Sequence, residues 1–141
     1  MLPFNCMEFK LFIGTAKESR IKGAYSMNLW CAGNFMNFPV QTYICEEGLT
    51  NHRLVLFALS GFLKLSNKPN INITVYTDNE EVAFEWENEY LADKCFCQST
   101  ADQDLWNEIA ANVKKYGIRM HIKGKSNALT GISRIERNNL G

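Results

Sequence analysis

The sequence lacks any uninterrupted apolar segment of the roughly 18–20 residues that a membrane-spanning helix requires. Its N-terminus, MLPFNCMEFK, lacks the pattern of a signal peptide. Net charge is also absent, since 15 basic side chains balance 15 acidic ones. With 46% apolar and 21% charged residues, the composition is that of a globular protein and excludes a disordered, collagen-like or low-complexity chain. A chain of 141 residues can form one domain with its own core.

The residue patterns of several common sites are missing too. Neither GxxxxGK[ST] nor GxGxxG occurs, which argues against a nucleotide-phosphate loop. Cys95 and Cys97 resemble half of a zinc site, but no second pair accompanies them, because His52 and His121 are far apart in the sequence. The five cysteines are odd in number and scattered. They favour a reducing, intracellular compartment, and we expect a cytoplasmic protein.

The neutral total hides an uneven distribution of charge. Residues 1–70 carry a net charge of +3, residues 71–108 carry −9, and residues 109–141 carry +6. A polyanion such as nucleic acid would be repelled by the middle segment and attracted by the last one.

Hydrophobic periodicity predicts a mixed α/β chain. Short alternating or β-branched segments predict strands over 9–13, 22–30, 40–45, 71–77 and 118–122. Amphipathic spacing predicts helices over 50–65, 80–90 and 102–116. Three consecutive strands can form an antiparallel meander, and the later strands must join through helical crossovers. The order β-β-β-α-β-α-α-β therefore predicts a mixed sheet with helices on both faces.

Glycine and polar residues mark the predicted ends of these elements. Gly14 is expected to end the first strand, and residues 33–39 are expected to form a turn. Thr50 is the expected N-cap of the first helix, and Gly117 stands where the last helix would end in a left-handed residue.

The element order and five local strings resemble ribonuclease H. Residues 50–56 (TNHRLVL) resemble the family's TNNRxEL helix opening, and residues 74–79 (TVYTDN) resemble its TDS strand end. Residues 104–106 (DLW) resemble the opening of a later helix. Residues 22–25 (KGAY) resemble the second strand, and residues 123–126 (KGKS) resemble the KGH string after the last strand. The resemblance implies a ribonuclease H-like α/β fold.

This resemblance spans residues from about 8 to 126. It implies that residues 1–141 form a single ribonuclease H-like domain, in which residues 126–141 are a polar C-terminal tail.

The family's chemistry requires four carboxylates that hold two divalent metals. By the resemblance, Gly14 stands at the first carboxylate position and Val55 at the second, whereas Asp78 keeps the third. The fourth position, near residues 130–131, has no acid, and Lys125 replaces the catalytic histidine. The resemblance therefore implies a vestigial site with no catalytic residues, metal or cofactor. In that site, Gly14 and Val55 are expected to face each other, and Asp78 is expected to cap the next helix.

Two sets of residues are candidates for binding partners. The nucleic-acid candidates open the first helix or lie on one face of the last strand and its continuation: Thr50, Asn51, His52, Arg119, Lys123 and Lys125. The protein-binding candidates are exposed acids that recur every four residues on the second helix: Glu81, Glu85 and Glu89.

The leading hypothesis is a non-catalytic module that binds nucleic acid (RNA, DNA or their hybrid), a protein of nucleic-acid machinery, or both. One alternative is an active metal-dependent nuclease that cleaves RNA–DNA hybrids with displaced carboxylates and Mg²⁺. Another is an acidic mimic of nucleic acid that occupies a basic protein, as small proteins of phages or mobile elements can. A membrane partner is not expected. Stabilisation by Mg²⁺ would identify the nuclease, and a steep salt dependence would identify nucleic-acid binding.

Overall fold

The computed structural model describes residues 7–66, 68–90 and 101–124. In these residues the strands are β1 (Glu8–Lys17), β2 (Lys22–Cys31), β3 (Asn34–Asn37), β4 (Gln41–Ile44), β5 (Asn72–Thr77) and β6 (Arg119–Gly124). The helices are α1 (Asn51–Ser66), α2 (Glu80–Glu85), which continues as a π-helical turn at Trp86–Tyr90, and α3 (Gln103–Tyr116). None of these helices has the length and apolar character needed to cross a membrane.

The strands form one mixed sheet in the order β3-β2-β1-β5-β6, and β4 also pairs with β2. The pairs that involve β2 are antiparallel, whereas β1–β5 and β5–β6 are parallel. The parallel pairs follow from the crossovers, because α1 leads from the meander to β5, and α2 and α3 lead from β5 to β6. The predicted mixed sheet of antiparallel and crossover strands is confirmed.

Two element boundaries differ from the sequence-based expectation. β1 does not end at Gly14, because its antiparallel pairing with β2 continues from Gly14 opposite Ser26 to Lys17 opposite Gly23. The pairing supplies the backbone with hydrogen bonds, which outweighs the weak strand propensity of glycine. The expected turn over 33–39 contains β3 instead, since the tight turn is confined to residues 32 and 33, where φ is 53° and 84°. Two successive positive φ values are typical of a type I′ hairpin.

Alternation along the strands gives the sheet one apolar face. Phe9, Leu11 and Ile13 of β1 are buried in a core to which α1, α2 and α3 all contribute. On β6, Met120 and Ile122 belong to the same core. The described helices all cover this face of the sheet, whereas the sequence predicted helices on both faces. The intervening strand residues lie on the other face.

The ends of two helices agree with prediction. The Thr50 hydroxyl accepts a hydrogen bond of 3.1 Å from the Arg53 amide at the start of α1. Gly117 has a φ of 62°, and its amide donates to the Lys114 carbonyl at the end of α3.

The described cysteines differ in state. Cys45 is free, whereas Cys31 is disulfide-bonded.

Candidate functional site

Gly14 and Val55, the two positions at which the resemblance expects a carboxylate, lie in different surroundings. Val55 on α1 is fully buried in the core. Gly14 on β1 is partly exposed and lines an open pocket of about 570 Å³ together with Ser26 and Asn28 of β2. The pocket lining, as far as the described residues define it, does not include Val55. The expectation that Gly14 and Val55 face each other is therefore wrong, because Gly14 alternates away from the core residue Ile13.

The donor set at these positions does not fit a pair of hard divalent metals. Mg²⁺ requires oxygen ligands, and neither Gly14 nor Val55 has a side-chain oxygen. Asp78 follows β5 directly and is exposed. One carboxylate among these positions is too few to hold the two metals of a phosphodiester-cleaving site. The fourth position, at residues 130–131, and Lys125 lie outside the described residues.

Asp78 does not cap α2 as expected. The N-cap is Asn79, whose side-chain oxygen accepts a hydrogen bond of 3.1 Å from the Val82 amide. Asn79 has extended backbone angles and stands directly before the first helical residue, which is the position that capping requires.

His52 is buried rather than available to nucleic acid. Its Nδ1 lies 2.6 Å from Asp102 Oδ2, and its Nε2 lies 2.6 Å from Glu85 Oε1. The Trp106 indole Nε1 also donates to Glu85 Oε1, at 3.3 Å. His52 comes from the first turn of α1, Glu85 from the last residue of α2, and Asp102 directly precedes α3. This histidine thus connects three helical segments, and its predicted role in nucleic-acid contact is wrong.

Arg53 extends this arrangement toward the surface. Its guanidinium donates to Asp102 at 2.9 Å and to both carboxylate oxygens of Asp104, at 3.1 and 3.2 Å. Its Nε donates to the Tyr43 hydroxyl at 3.1 Å. Hydrogen bonds from Arg53 hold the pKa of Asp104 below its ordinary value. We call His52, Glu85 and Asp102 the buried ion cluster, which Arg53 connects to the exposed Asp104.

The His52 side chain favours its charged form. Burial lowers the pKa of the imidazolium, but the hydrogen bonds to Glu85 and Asp102 outweigh burial, so the pKa is raised above 6.5. Because both ring nitrogens face carboxylate oxygens, an imidazolium can donate to both acceptors at once.

This raised pKa predicts a specific pH dependence of stability. A folded-state pKa above the unfolded value stabilises the protein fully below about pH 6.5, and that stabilisation is lost as the pH rises through the folded pKa. We therefore expect the free energy of unfolding, measured with urea between about pH 6 and 9, to decrease with rising pH. His52→Gln, which is neutral at every pH, should remove this component. An unchanged pH profile in His52→Gln would assign the effect to another group.

The same region contains one possible set of metal ligands among the described residues. Atoms of His52, Glu81 and Glu85 lie within 4.8 Å of one another. The His52 Nε2 atom, however, is already 2.6 Å from Glu85 Oε1, which is the length of a charged hydrogen bond. The ion pair accounts for this geometry without a metal.

The acidic row of the second helix is not one exposed surface. Glu81 is exposed, but Glu85 is buried, at 8% exposure, against His52 and Trp106. The side chain of Glu89 lies outside the described residues. The protein-binding prediction for Glu85 is therefore wrong, because its carboxylate is occupied inside the fold. Reversing its charge would disrupt the helix contacts rather than test a surface.

The basic stripe of the last strand has the predicted alternation. Arg119, His121 and Lys123 are exposed, and the residues between them are buried. Thr50 and Asn51 are also exposed, but they start α1, which packs on the opposite side of the sheet. The described nucleic-acid candidates therefore do not form a single surface.

Sequence reasoning missed the aromatic residues that share the sheet face of the basic stripe. Phe12 stacks on Tyr76 with ring centroids 5.0 Å apart, and the Lys10 ammonium lies 4.9 Å from the Trp30 ring centre. The two-residue period places each ring on one side of its own strand, and the register between strands brings these sides together. We call this side of the sheet the open face. It includes Glu8, Lys10, Phe12, Asn28, Trp30, Phe35, Asn72, Thr74, Tyr76, Arg119, His121 and Lys123.

Comparison by sequence identifies no relative, since no family model and no curated protein matches the chain. Comparison by structure is informative. A foamy viral protease-reverse transcriptase in complex with dsDNA superposes with a TM-score of 0.55 at 15% identity, covering 93% of this chain and 90% of that one.

Two ribonuclease H structures are similar to a comparable degree. LC11-RNase H1 in complex with an RNA/DNA hybrid has a TM-score of 0.55 at 9% identity, covering 84% of this chain and 87% of that one. The N-terminal RNase H domain of rv2228c from Mycobacterium tuberculosis has a TM-score of 0.54 at 12% identity, covering 85% and 84%. Together with the strand order and the helical crossovers, these likenesses establish that the chain has a ribonuclease H-like fold.

Proposed function

We propose that this protein is a catalytically inactive ribonuclease H-like module that binds nucleic acid. The observation that carries the proposal is the complete burial of Val55 in the core, at the helix position where the resemblance expects a metal-binding carboxylate. Gly14 removes a second ligand, and the remaining Asp78 cannot hold two metals by itself.

The charge of the open face supports nucleic-acid binding. Arg119, His121 and Lys123 follow one another along β6 on the exposed side of the sheet. Lysine and arginine contacts to phosphates provide most of the affinity of sequence-independent binding. The neighbouring structures with dsDNA and with an RNA/DNA hybrid show nucleic acid bound by proteins of the same fold. That support is an analogy of fold, and the open face supplies the chemistry on this chain.

A binding and cleavage assay with one labelled RNA–DNA hybrid tests the proposal. We expect the protein to bind the hybrid at low salt. The logarithm of the binding constant should fall linearly with the logarithm of the salt concentration, with a slope of about −0.9 for each phosphate contact. Millimolar Mg²⁺ or Mn²⁺ should produce no cleavage of the RNA strand and should leave the melting temperature unchanged.

The same assay distinguishes the alternatives. Metal-dependent cleavage that disappears in Asp78→Asn would establish an active nuclease with displaced carboxylates. A protein that binds no hybrid, duplex or single strand at low salt would contradict nucleic-acid binding and favour a basic protein partner.

A further inference from the structure

Strand register places basic and aromatic residues of four strands in adjacent rows on the open face. Lys10 on β1 pairs with Trp30 on β2 and with Thr74 on β5, and Thr74 pairs in turn with His121 on β6. Paired residues of neighbouring strands point to the same side of a sheet. This row therefore runs from an aromatic ring to a basic side chain across three strand spacings, which is roughly 14 Å.

The next row repeats the pattern. Phe12 on β1 pairs with Tyr76 on β5, and Tyr76 pairs with Lys123 on β6. The rings of Phe12 and Tyr76 stack at an interplanar angle of 13°. The ring centroid of Phe35 lies 6.4 Å from that of Phe12, and about half of the Phe35 surface is exposed. The aromatic rings thus form a connected group beside the basic stripe.

The first row borders a recess in the face. A cavity of about 340 Å³ is lined by Trp30, Lys10, Thr74, Arg119 and His121, among other residues. This volume lies within the roughly 300–1,000 Å³ that is usual for ligand clefts.

Among the described residues, the open face carries more basic than acidic side chains. Lys10, Arg119 and Lys123 are exposed and basic. In the described part of the chain, Glu8 lies on the row of Arg119, and Glu87 Oε1 lies 3.1 Å from His121 Nδ1. Basic side chains next to accessible aromatic rings are the two components that single-strand-binding surfaces combine.

We propose that the open face binds single-stranded nucleic acid, with bases stacked on Trp30 and Phe35 and phosphates contacted by Arg119 and Lys123. A duplex can contact only the basic residues of this surface through its phosphates, because its bases are already stacked and paired and cannot lie on aromatic rings. The inference rests on the proposed function, and it specifies which class of nucleic acid is bound and which surface binds it.

The tryptophan positions provide a direct readout. The chain has three tryptophans, and Trp86 and Trp106 are completely buried, whereas Trp30 is partly exposed. A base that stacks on Trp30 should quench the accessible part of the fluorescence. We expect oligo(dT) and oligo(rU) added to the full chain to quench this emission and to protect it from acrylamide.

Substitutions on the face should weaken binding in two different ways. Phe35→Ala should reduce affinity for oligo(dT) by about 5- to 150-fold, the range for loss of one stacked base. The slope of the logarithm of affinity against the logarithm of salt concentration should become shallower by about 0.7 in Arg119→Ala and in Lys123→Ala. Lys114→Ala is the matched control, since Lys114 is an exposed lysine on α3, and it should change neither quantity.

Several outcomes would overturn the inference, and they are separable from failure of the proposed function. Binding of hybrid or duplex with no binding of oligo(dT) would leave the proposed function standing and refute this surface. Oligo(dT) binding that is unaffected by Phe35→Ala and by both basic substitutions would place the contact elsewhere. Emission that acrylamide cannot quench in the free protein would show that another part of the chain, or a second copy, already covers Trp30.

Discussion

We expect His52→Ala to lower the free energy of unfolding by about 3–5 kcal/mol, the usual cost of removing one partner from a buried ion pair. The substitution takes away the group that bonds both Glu85 and Asp102 at 2.6 Å. The Glu85 carboxylate would then lose its cationic partner and keep the hydrogen bond from the Trp106 indole, whereas Asp102 would keep its ion pair with Arg53. The measurement is urea unfolding at about pH 6, which lies below the raised pKa of the His52 imidazolium.

His121→Ala is the matched control for this prediction. His121 also contacts a glutamate, Glu87 at 3.1 Å, but its side chain is 60% exposed. Exposed ion pairs contribute little, so we expect a change within about 0.5 kcal/mol. If His52→Ala and His121→Ala proved equally mild, the buried ion cluster would not be a source of stability. A double-mutant cycle with Glu85→Gln would then measure the direct coupling.

Val55→Glu is expected to destabilise the protein by about 3–5 kcal/mol at neutral pH, because it places an ionisable group in an apolar core without a partner. Val55 is 0% exposed. Burial should raise the pKa of the introduced carboxyl, so the group would remain neutral rather than bind a metal. Millimolar Mg²⁺ should not restore stability, since Gly14 still provides no ligand. Thermal and urea unfolding with and without Mg²⁺ would measure both effects.

Val40→Glu makes the same chemical change at a surface position. Val40 is 66% exposed, so this variant should unfold within about 0.5 kcal/mol of the parent protein. A Val55→Glu protein as stable as Val40→Glu would mean that water reaches the position. Stabilisation of Val55→Glu by Mg²⁺ would instead mean that one added carboxylate is enough to complete a metal site.

Local sequence patterns determined most of the fold. Alternation in β6 predicted which of its residues are exposed, and the Thr50 cap and the Gly117 terminus predicted where α1 starts and α3 ends. These features depend on the period of one element or on the conformation of one residue, and both can be read from the chain. The short β3 was missed, because four residues with polar ends, Asn34–Asn37, become a strand only through pairing with β2.

The candidate sites depended on tertiary structure to a greater extent. His52 meets Glu85, 33 residues away, and Asp102, 50 residues away, so its burial had no local signal. The sequence placed Glu85 correctly on a helix, but only the packing of α2 against α1 decided that its carboxylate would be internal. Periodicity assigns a side chain to a face, whereas the element that covers this face is decided by the sheet and its crossovers. For the same reason, the aromatic rings of the open face became a common surface only when β1, β2 and β5 were aligned beside β6.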